Sequence, residues 1–232
     1  MGDSTMKTNN IYTYPQAGWG QPLNLMVKNG VSVENHAENG RSTKSFIDEG
    51  RFDAILKRIQ KGDYVICSFG HNDEKIQDPK RYTSPFDTYQ KNLKYFSDEI
   101  LKRGGNIVFA TSITRHKFEN GTCINSHGDY PKAMIEFAKE NNFTCIDMNK
   151  LTMDYYNLIG EEESAKLHMI FKPKTYEYYD EGKDDHSHLN FNGAVTIAKI
   201  FVRALKKTDS KLKECFLDLD IREEIDWKML VD

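Results

Sequence analysis

The sequence predicts an α/β fold built from parallel βαβ units. From residue 50 to the end, short apolar runs alternate with amphipathic stretches. This alternation is typical of strands and helices that follow one another in a parallel sheet. The length of 232 residues suits one well-buried domain and is short for two independent cores. We therefore expect a single domain over residues 1–232.

The elements can be placed in chain order from the spacing of their apolar residues. That spacing predicts a helix over 52–59, and the apolar run after Gly62 and Asp63 predicts a buried strand over 64–69. The same reasoning predicts helices near 86–100, 130–138 and 194–205, and strands at 107–110 and 143–146.

Two stretches are less regular. Residues 160–189 contain an aromatic run, and we interpret them as an excursion that frames a cleft or as a solvated surface loop. Residues 209–232 mix charged and apolar side chains. They are predicted to be a C-terminal extension that packs on the body or on a partner chain, which allows for a homo-oligomer.

Composition argues against two classes of partner. Hydrophobic residues make up 38% of the chain and charged residues 29%, and no run approaches the length of a membrane span. The net charge is −3 and the lysines are scattered, so no basic field attracts a phosphate backbone. We expect neither a membrane nor nucleic acid as a partner.

The cysteines and histidines give no sign of a metal site or a disulfide framework. Cys67, Cys123, Cys145 and Cys215 are far apart, and the histidines lack H-x-x-x-H spacing with a third ligand. We expect reduced thiols, no metal and no cofactor. The absence of an apolar leader favours a cytoplasmic location, although secretion stays compatible with a truncated N-terminus.

Four short segments stand out, and their order along the chain matters more than any one of them. They are Gly2-Asp3-Ser4-Thr5, Asn39-Gly40-Arg41-Ser42, Gly70-His71-Asn72-Asp73 and Asp185-His186-Ser187-His188. Each one alone is also explained as an ordinary turn or helix start.

The Asp185 and His188 pair supplies what a serine nucleophile needs. A serine hydroxyl needs a nearby base, and the base needs an acceptor that holds its tautomer. Three residues apart on one turn, Asp185 can reach Nδ1 of His188 and leave Nε2 for a serine. Gly193 and Ala194 would let the next helix pack closely and fix that turn. The alternative is that both residues merely cap this helix.

A second candidate pair for the base is Asp184 with His186. We rank it below the first because a two-residue gap is expected to place the side chains on opposite sides of an extended chain.

The four segments resemble the SGNH (GDSL-like) hydrolases, whose blocks supply Ser, Gly, Asn and His in this order. The match runs from residue 2 to about residue 205. The second, third and fourth blocks, with Asn192-Gly193-Ala194 after the last, are similar to the rhamnogalacturonan acetylesterase branch. The resemblance implies a flavodoxin-like three-layer α/β/α sandwich with a mostly parallel central sheet. It also implies hydrolysis of small acyl esters, above all acetyl esters, on carbohydrate.

The resemblance further implies a role for each site residue. Ser4 is the nucleophile, with His188 and Asp185 completing the triad. The oxyanion donors are the backbone N–H groups of Ser4 and Gly40 and the side-chain amide of Asn72. Supporting residues are Asp3, which would brace the nucleophile turn, His71, and Arg41. The guanidinium of Arg41 would bond sugar hydroxyls or a galacturonate carboxylate; an exposed arginine with no role is the alternative.

In the SGNH fold the nucleophile follows the first strand, whereas only Met1 precedes Gly2 in this sequence. We therefore expect that strand to be truncated, or its place in the sheet to be taken by another segment. Such a chain is expected to be marginally stable, poorly active or aided by association.

Two other functions stay open at this point. A lipase or thioesterase on the same scaffold would share the triad, and only the cleft wall would select the substrate. A carbohydrate-binding protein that has lost turnover is the second, and the truncated strand keeps it open. An α/β-hydrolase is set aside because the chain has no G-x-S-x-G pentapeptide.

Overall fold

The computed structural model describes residues 1–218. Its strands are β1 (Tyr64–Cys67), β2 (Asn106–Ala110), β3 (Phe118–Glu119), β4 (Thr122–Cys123), β5 (Thr144–Ile146), β6 (His168–Phe171) and β7 (Lys183–Leu189). Its α-helices are α1 (Thr43–Asp48), α2 (Arg51–Leu56), α3 (Gln90–Lys102), α4 (Tyr130–Glu140), α5 (Met148–Ile159), α6 (Glu161–Ala165) and α7 (Phe191–Lys206). Short 3-10 turns cover Ile11–Thr13, Gln21–Leu25 and Lys211–Cys215, and a π-helical turn at Pro85–Tyr89 leads into α3.

The central sheet is parallel, with the order β1-β2-β5. Side chains of a strand alternate between its two faces, and here the alternation separates two cores. In β2, Ile107 and Phe109 pack with α1 to α4, whereas Val108 and Ala110 pack with α5 and α7. Helices thus cover both faces of the sheet, which confirms the predicted α/β class and sandwich.

The predicted strands and the helices predicted near 52–59, 86–100, 130–138 and 194–205 are present, with shifts of a few residues at their ends, whereas α5 was not predicted. The largest difference is at residues 160–189, which were expected to be irregular. They form α6 and an antiparallel hairpin of β6 and β7. The hairpin was missed because the β7 sequence, Lys183 to Leu189, is charged and its burial does not alternate, so it carries no apolar period of two.

The start of α7 lies close against the β6 region. Asn190 caps the helix, since its side chain accepts from the Gly193 N–H at 3.0 Å. A Cβ on Gly193 would lie 2.0 Å from the carbonyl oxygen of Leu167, so only glycine fits. The close packing predicted for Gly193 is therefore confirmed.

The first residues of the chain pair with the edge of β1. The amino group of Met1 donates to the Ile66 carbonyl at 2.8 Å, the Ser68 N–H donates to the Met1 carbonyl at 3.1 Å, and Gly2 forms a parallel bridge with Ser68. The carbonyl of Gly2 also accepts from the Glu38 N–H at 3.1 Å. Gly2 is thereby held between the end of β1 and the segment that leads to Gly40.

The described part of the C-terminal extension packs on the body. Phe216 is buried and bridges to Val27, and Leu212 is buried as well. The rest of the predicted extension, residues 219–232, lies outside the described residues. No helix within residues 1–218 is long and apolar enough to cross a membrane.

Candidate active site

Ser4, His188 and Asp185 meet in one chain of contacts. Oγ of Ser4 lies 2.9 Å from Nε2 of His188, and Nδ1 of His188 donates to Oδ2 of Asp185 at 2.8 Å. Ser4 and His188 are 184 residues apart in sequence, so the fold alone brings them together. The side chains of His188 and Asp185 are 29% and 22% exposed, which leaves the group reachable from solvent.

An irregularity in β7 produces the Asp185–His188 contact. Opposite β6, Leu189 pairs with His168 but Asp185 pairs with Met169, so the chain bulges outward between them. Oδ1 of Asp185 accepts from the N–H groups of Ser187 and His188 at 2.9 and 3.0 Å. The two residues therefore lie on a bulged strand and not on a helix-start turn, although the side chains meet as predicted.

The charge on Asp185 is stabilised by these donors. Burial alone would raise the pKa of this carboxyl, but the hydrogen bonds and charge of His188 and the N–H of Ser187 hold it well below its ordinary value. Asp185 is therefore ionised at neutral pH and accepts from Nδ1 of His188.

The expectation that Asp184 and His186 lie on opposite sides of the chain is wrong. Oδ1 of Asp184 is 3.0 Å from Nε2 of His186, because residues two apart on a strand share a face. Nδ1 of His186 lies 3.1 Å from Nδ1 of His116. The contacts of the His186 ring are thus with Asp184 and His116, while His188 contacts Ser4.

The turn that carries Ser4 is braced from below by Asp3, which is 1% exposed. Oδ1 of Asp3 accepts from the backbone N–H and the hydroxyl of Thr5 at 2.9 and 2.8 Å. The Met6 N–H closes the turn on the Asp3 carbonyl at 3.1 Å. Burial would raise the pKa of Asp3, but His71 and Thr5 together hold it below its ordinary value.

The two further oxyanion candidates lie beside each other. Gly40 adopts φ +71°, a conformation that favours glycine. The side-chain amide of Asn72, which is 3% exposed, donates one hydrogen to the Arg41 carbonyl at 3.1 Å. Since an amide nitrogen carries two hydrogens, this bond leaves the second amide hydrogen of Asn72 unused.

Asp73 fastens the Asn72 segment to α1. Its fully buried carboxylate accepts from the Thr43 N–H at 3.0 Å and from the hydroxyls of Thr43 and Thr83 at 2.5 and 2.8 Å. Burial raises the pKa of Asp73 to about 7 in spite of these donors. The hydrogen bonds of Asp73 hold the segment that carries Asn72 against the start of α1.

His71 is buried beneath the turn that carries Ser4. Its Nδ1 is 3.4 Å from Oδ2 of Asp3, and its ring packs edge-on against His127 with centroids 4.2 Å apart. Neither ring nitrogen has a hydrogen-bond partner among the described residues. Burial and the neighbouring His127 lower the pKa of His71 to about 4, so at neutral pH the ring is uncharged.

A network around Arg115 joins the strand that carries His188 to the segment that carries Asn72, and the sequence did not predict it. Nε of Arg115 donates to Oγ of Ser187 at 3.1 Å, and its Nη2 forms an ion pair with Glu74. The other oxygen of Glu74 lies 2.9 Å from Nδ1 of His127. Glu74 directly follows the Gly70–Asp73 block, which was the one available signal; Arg115 and His127 belong to no recognisable motif.

Two arginines lie near Gly40, and only Arg41 was predicted. Nε of Arg41 donates to Glu49 at 2.9 Å and its Nη1 to the Asn39 carbonyl at 2.7 Å. Nη1 of Arg81 is 3.4 Å from Oδ1 of Asn72 and 3.5 Å from where a Cβ on Gly40 would be. Arg81 therefore contacts Asn72 and lies next to Gly40.

Within residues 1–218, no three His, Cys, Asp or Glu side chains form a group that could hold a metal ion.

The sequence matches a known protein family and known proteins. The profile of the family described as GDSL-like Lipase/Acylhydrolase matches residues 1–201. The chain is 37% identical over 225 residues to the rhamnogalacturonan acetylesterase RhgT of Bacillus subtilis, covering 97% of this chain and 95% of that one.

Two solved structures share the fold. The crystal structure of Bacillus subtilis YxiM superposes with a TM-score of 0.75 at 28% identity, covering 89% of this chain and 55% of that one. The acetylxylan esterase Axe2 of Geobacillus stearothermophilus superposes with a TM-score of 0.61 at 15% identity, covering 89% and 92%. On these grounds the chain belongs to the GDSL-like lipase/acylhydrolase family.

Proposed function

We propose that this chain hydrolyses acetyl esters on a carbohydrate through an acyl-enzyme formed on Ser4. The observation that carries the proposal is the 2.9 Å contact between Oγ of Ser4 and Nε2 of His188, backed by Asp185 at 2.8 Å. A nucleophile, a base and an orienting carboxylate within hydrogen-bond reach form the arrangement that activates serine. This arrangement also favours catalysis over a binding protein that has lost turnover.

Each step of the reaction has a group to perform it. Oγ of Ser4 attacks the ester carbonyl carbon while its proton passes to Nε2 of His188. The free amide hydrogen of Asn72 and the backbone N–H groups of Ser4 and Gly40 stabilise the oxyanion. His188 then protonates the sugar oxygen as its bond to the acyl carbon breaks. Water, deprotonated by His188, attacks the acetyl-serine, and acetate leaves as Ser4 regains its proton.

The substrate class is supported by relatives and by charge. RhgT and the Bacillus subtilis protein YesY, 34% identical to this chain, carry the names rhamnogalacturonan acetylesterase and probable rhamnogalacturonan acetylesterase. Arg81 contacts Asn72 and lies next to Gly40. The backbone N–H of Lys75 donates to the Asn72 carbonyl at 3.3 Å, so a second cationic residue lies close to Asn72. Cationic side chains near Asn72 favour the binding of a sugar that carries a carboxylate.

Acetate release from acetylated rhamnogalacturonan tests the proposal, with the Ser4→Ala variant as the control. We expect release by the native chain and none above background by the variant. Nitrophenyl esters of two to eight carbons test the acyl group in parallel. A preference for the eight-carbon ester, with no acetate released from the polysaccharide, would favour the lipase or thioesterase alternative.

A further inference from the structure

Two tyrosines distant in sequence form an exposed pair at the loop that connects β6 to β7. Tyr12 is 68% exposed and Tyr178 is 47% exposed, yet their rings contact edge to face with centroids 5.8 Å apart. Most exposed apolar surface is scattered as single side chains, so two large rings held together in solvent call for an explanation.

The pair rests on a second layer of aromatic contacts. Tyr14 packs on Tyr176 with centroids 5.7 Å apart, and Phe171 of β6 packs on Tyr176 and Tyr179 at 4.8 and 5.3 Å. The hydroxyl of Tyr179 donates to the Thr13 carbonyl at 3.1 Å. These contacts join the 10–15 loop to the 172–182 loop.

Contacts within the chain hold both loops in place. In the first loop, the side chain of Asn10 accepts from the Tyr12 N–H at 3.1 Å. In the second, the Gly182 N–H donates to the Tyr179 carbonyl at 3.0 Å, and a Cβ on Gly182 would lie 2.6 Å from the Phe171 carbonyl oxygen. A surface ordered in advance loses little entropy when it binds.

The second of these loops runs directly into β7, the strand that carries Asp185 and His188. Residues 172–182 connect β6 to β7, and Met169 pairs with Asp185 while Phe171 pairs with Lys183. Phe171 therefore lies about 7 Å along the hairpin from the level of Asp185. On the other side, the Ala17 N–H donates to the carbonyl of Leu189, the residue after His188, at 3.1 Å.

We propose that Tyr12 and Tyr178 form a subsite that binds a sugar unit of the polymer at a distance from the acetylated one. This inference rests on the proposed function. Tyrosine combines an apolar ring face with a hydroxyl that both donates and accepts, which matches a sugar ring with its C–H face and peripheral hydroxyls. Binding at this subsite stabilises a polymeric substrate and has no effect on a small ester.

The experiment compares Tyr12→Ala, Tyr178→Ala and the double variant on acetylated rhamnogalacturonan oligosaccharides and on nitrophenyl acetate. We expect the double variant to raise KM for the oligosaccharides about tenfold, the scale of one or two aromatic contacts. Its kcat, and its activity on nitrophenyl acetate, should match the native chain. Tyr12→Phe with Tyr178→Phe should restore most of the binding. Tyr95→Ala is the matched control, since Tyr95 is 41% exposed on α3 and packs edge-on against Phe52.

Calorimetric binding of deacetylated oligosaccharides to the Ser4→Ala variant separates this inference from the proposed function. Binding by this variant that is lost when both tyrosines are replaced supports the subsite, whatever the hydrolytic activity. An unchanged KM and unchanged binding in the double variant would overturn the subsite alone. Equal losses on oligosaccharide and nitrophenyl acetate would also overturn it, because they indicate a structural role.

Discussion

Nε of Arg115 donates to Oγ of Ser187 at 3.1 Å, one residue before His188. Because the same guanidinium pairs with Glu74, two residues beyond Asn72, it connects the strand that carries His188 to the segment that carries Asn72. Arg115 touches neither Ser4 nor the ring of His188 in the described contacts, so we regard it as a positioning residue.

Replacement of Arg115 by Met should lower kcat about 10- to 100-fold on nitrophenyl acetate, because small displacements of catalytic groups cost this much. KM should change little. Arg115→Lys should recover only part of kcat, since an ammonium cannot reproduce the guanidinium fork. Steady-state kinetics with a melting curve check this; a loss of stability with kcat preserved in the folded fraction would contradict it.

Asp185→Asn should lower kcat by roughly 10³- to 10⁴-fold with the fold retained. The neutral amide cannot both accept from Nδ1 of His188 and stabilise the imidazolium that forms in catalysis. Turnover of nitrophenyl acetate and a far-UV spectrum provide the measurement. Asp184→Asn is the matched control, because Asp184 contacts His186, and it should retain near-native turnover. Equal losses in the two variants would mean that the pairing has been assigned wrongly.

Arg81→Gln should weaken the preference for acidic sugar. We expect a several-fold rise in KM for acetylated rhamnogalacturonan and a smaller change for neutral acetylated xylan, with the difference shrinking at high salt. Arg58→Gln serves as control, since Arg58 pairs with Glu34 on an exposed surface. Identical changes on both polymers would argue against recognition of a carboxylate by Arg81.

Asp73 should make stability depend on pH. Its pKa is raised from 3.8 to about 7 in the folded chain. The stabilisation that its protonated form contributes is therefore complete below pH 4 and is lost as pH rises from about 4 through 7. The free energy of unfolding of the native chain, relative to Asp73→Asn, should fall by up to about 1.4 kcal/mol per pH unit in that window. Denaturant melts from pH 5 to pH 8 measure it, and parallel curves for the two proteins would contradict it.

The sequence was most informative where its pattern is periodic. The strands at 64–69, 107–110 and 143–146 and the helix ending near Leu205 were predictable because buried residues recur at the period of the element. The hairpin of β6 and β7 was not, because the charged side chains of β7 serve the site and leave no apolar alternation. A strand that carries functional side chains departs from the apolar alternation that predicts a strand.

The candidate site also combines residues that the sequence predicts with residues that it does not. Ser4, Gly40, Asn72, Asp185 and His188 stand in short blocks whose order is informative. Arg81 and Arg115 were not predictable because each reaches the site only through tertiary contacts. The sequence predicts only part of the tyrosine pair: residues 160–189, with their aromatic run, are interpreted as an excursion that frames a cleft or as a surface loop, but nothing in the sequence places Tyr12 against Tyr178.

The central claim is that Ser4 is a nucleophile activated by His188, and covalent labelling with a fluorophosphonate probe tests it most directly. We predict one adduct, mapped by mass spectrometry to the peptide that contains Ser4, and its loss in both Ser4→Ala and His188→Ala while the fold is retained. An adduct on another serine, or labelling of the folded His188→Ala variant at the native rate, would contradict the claim.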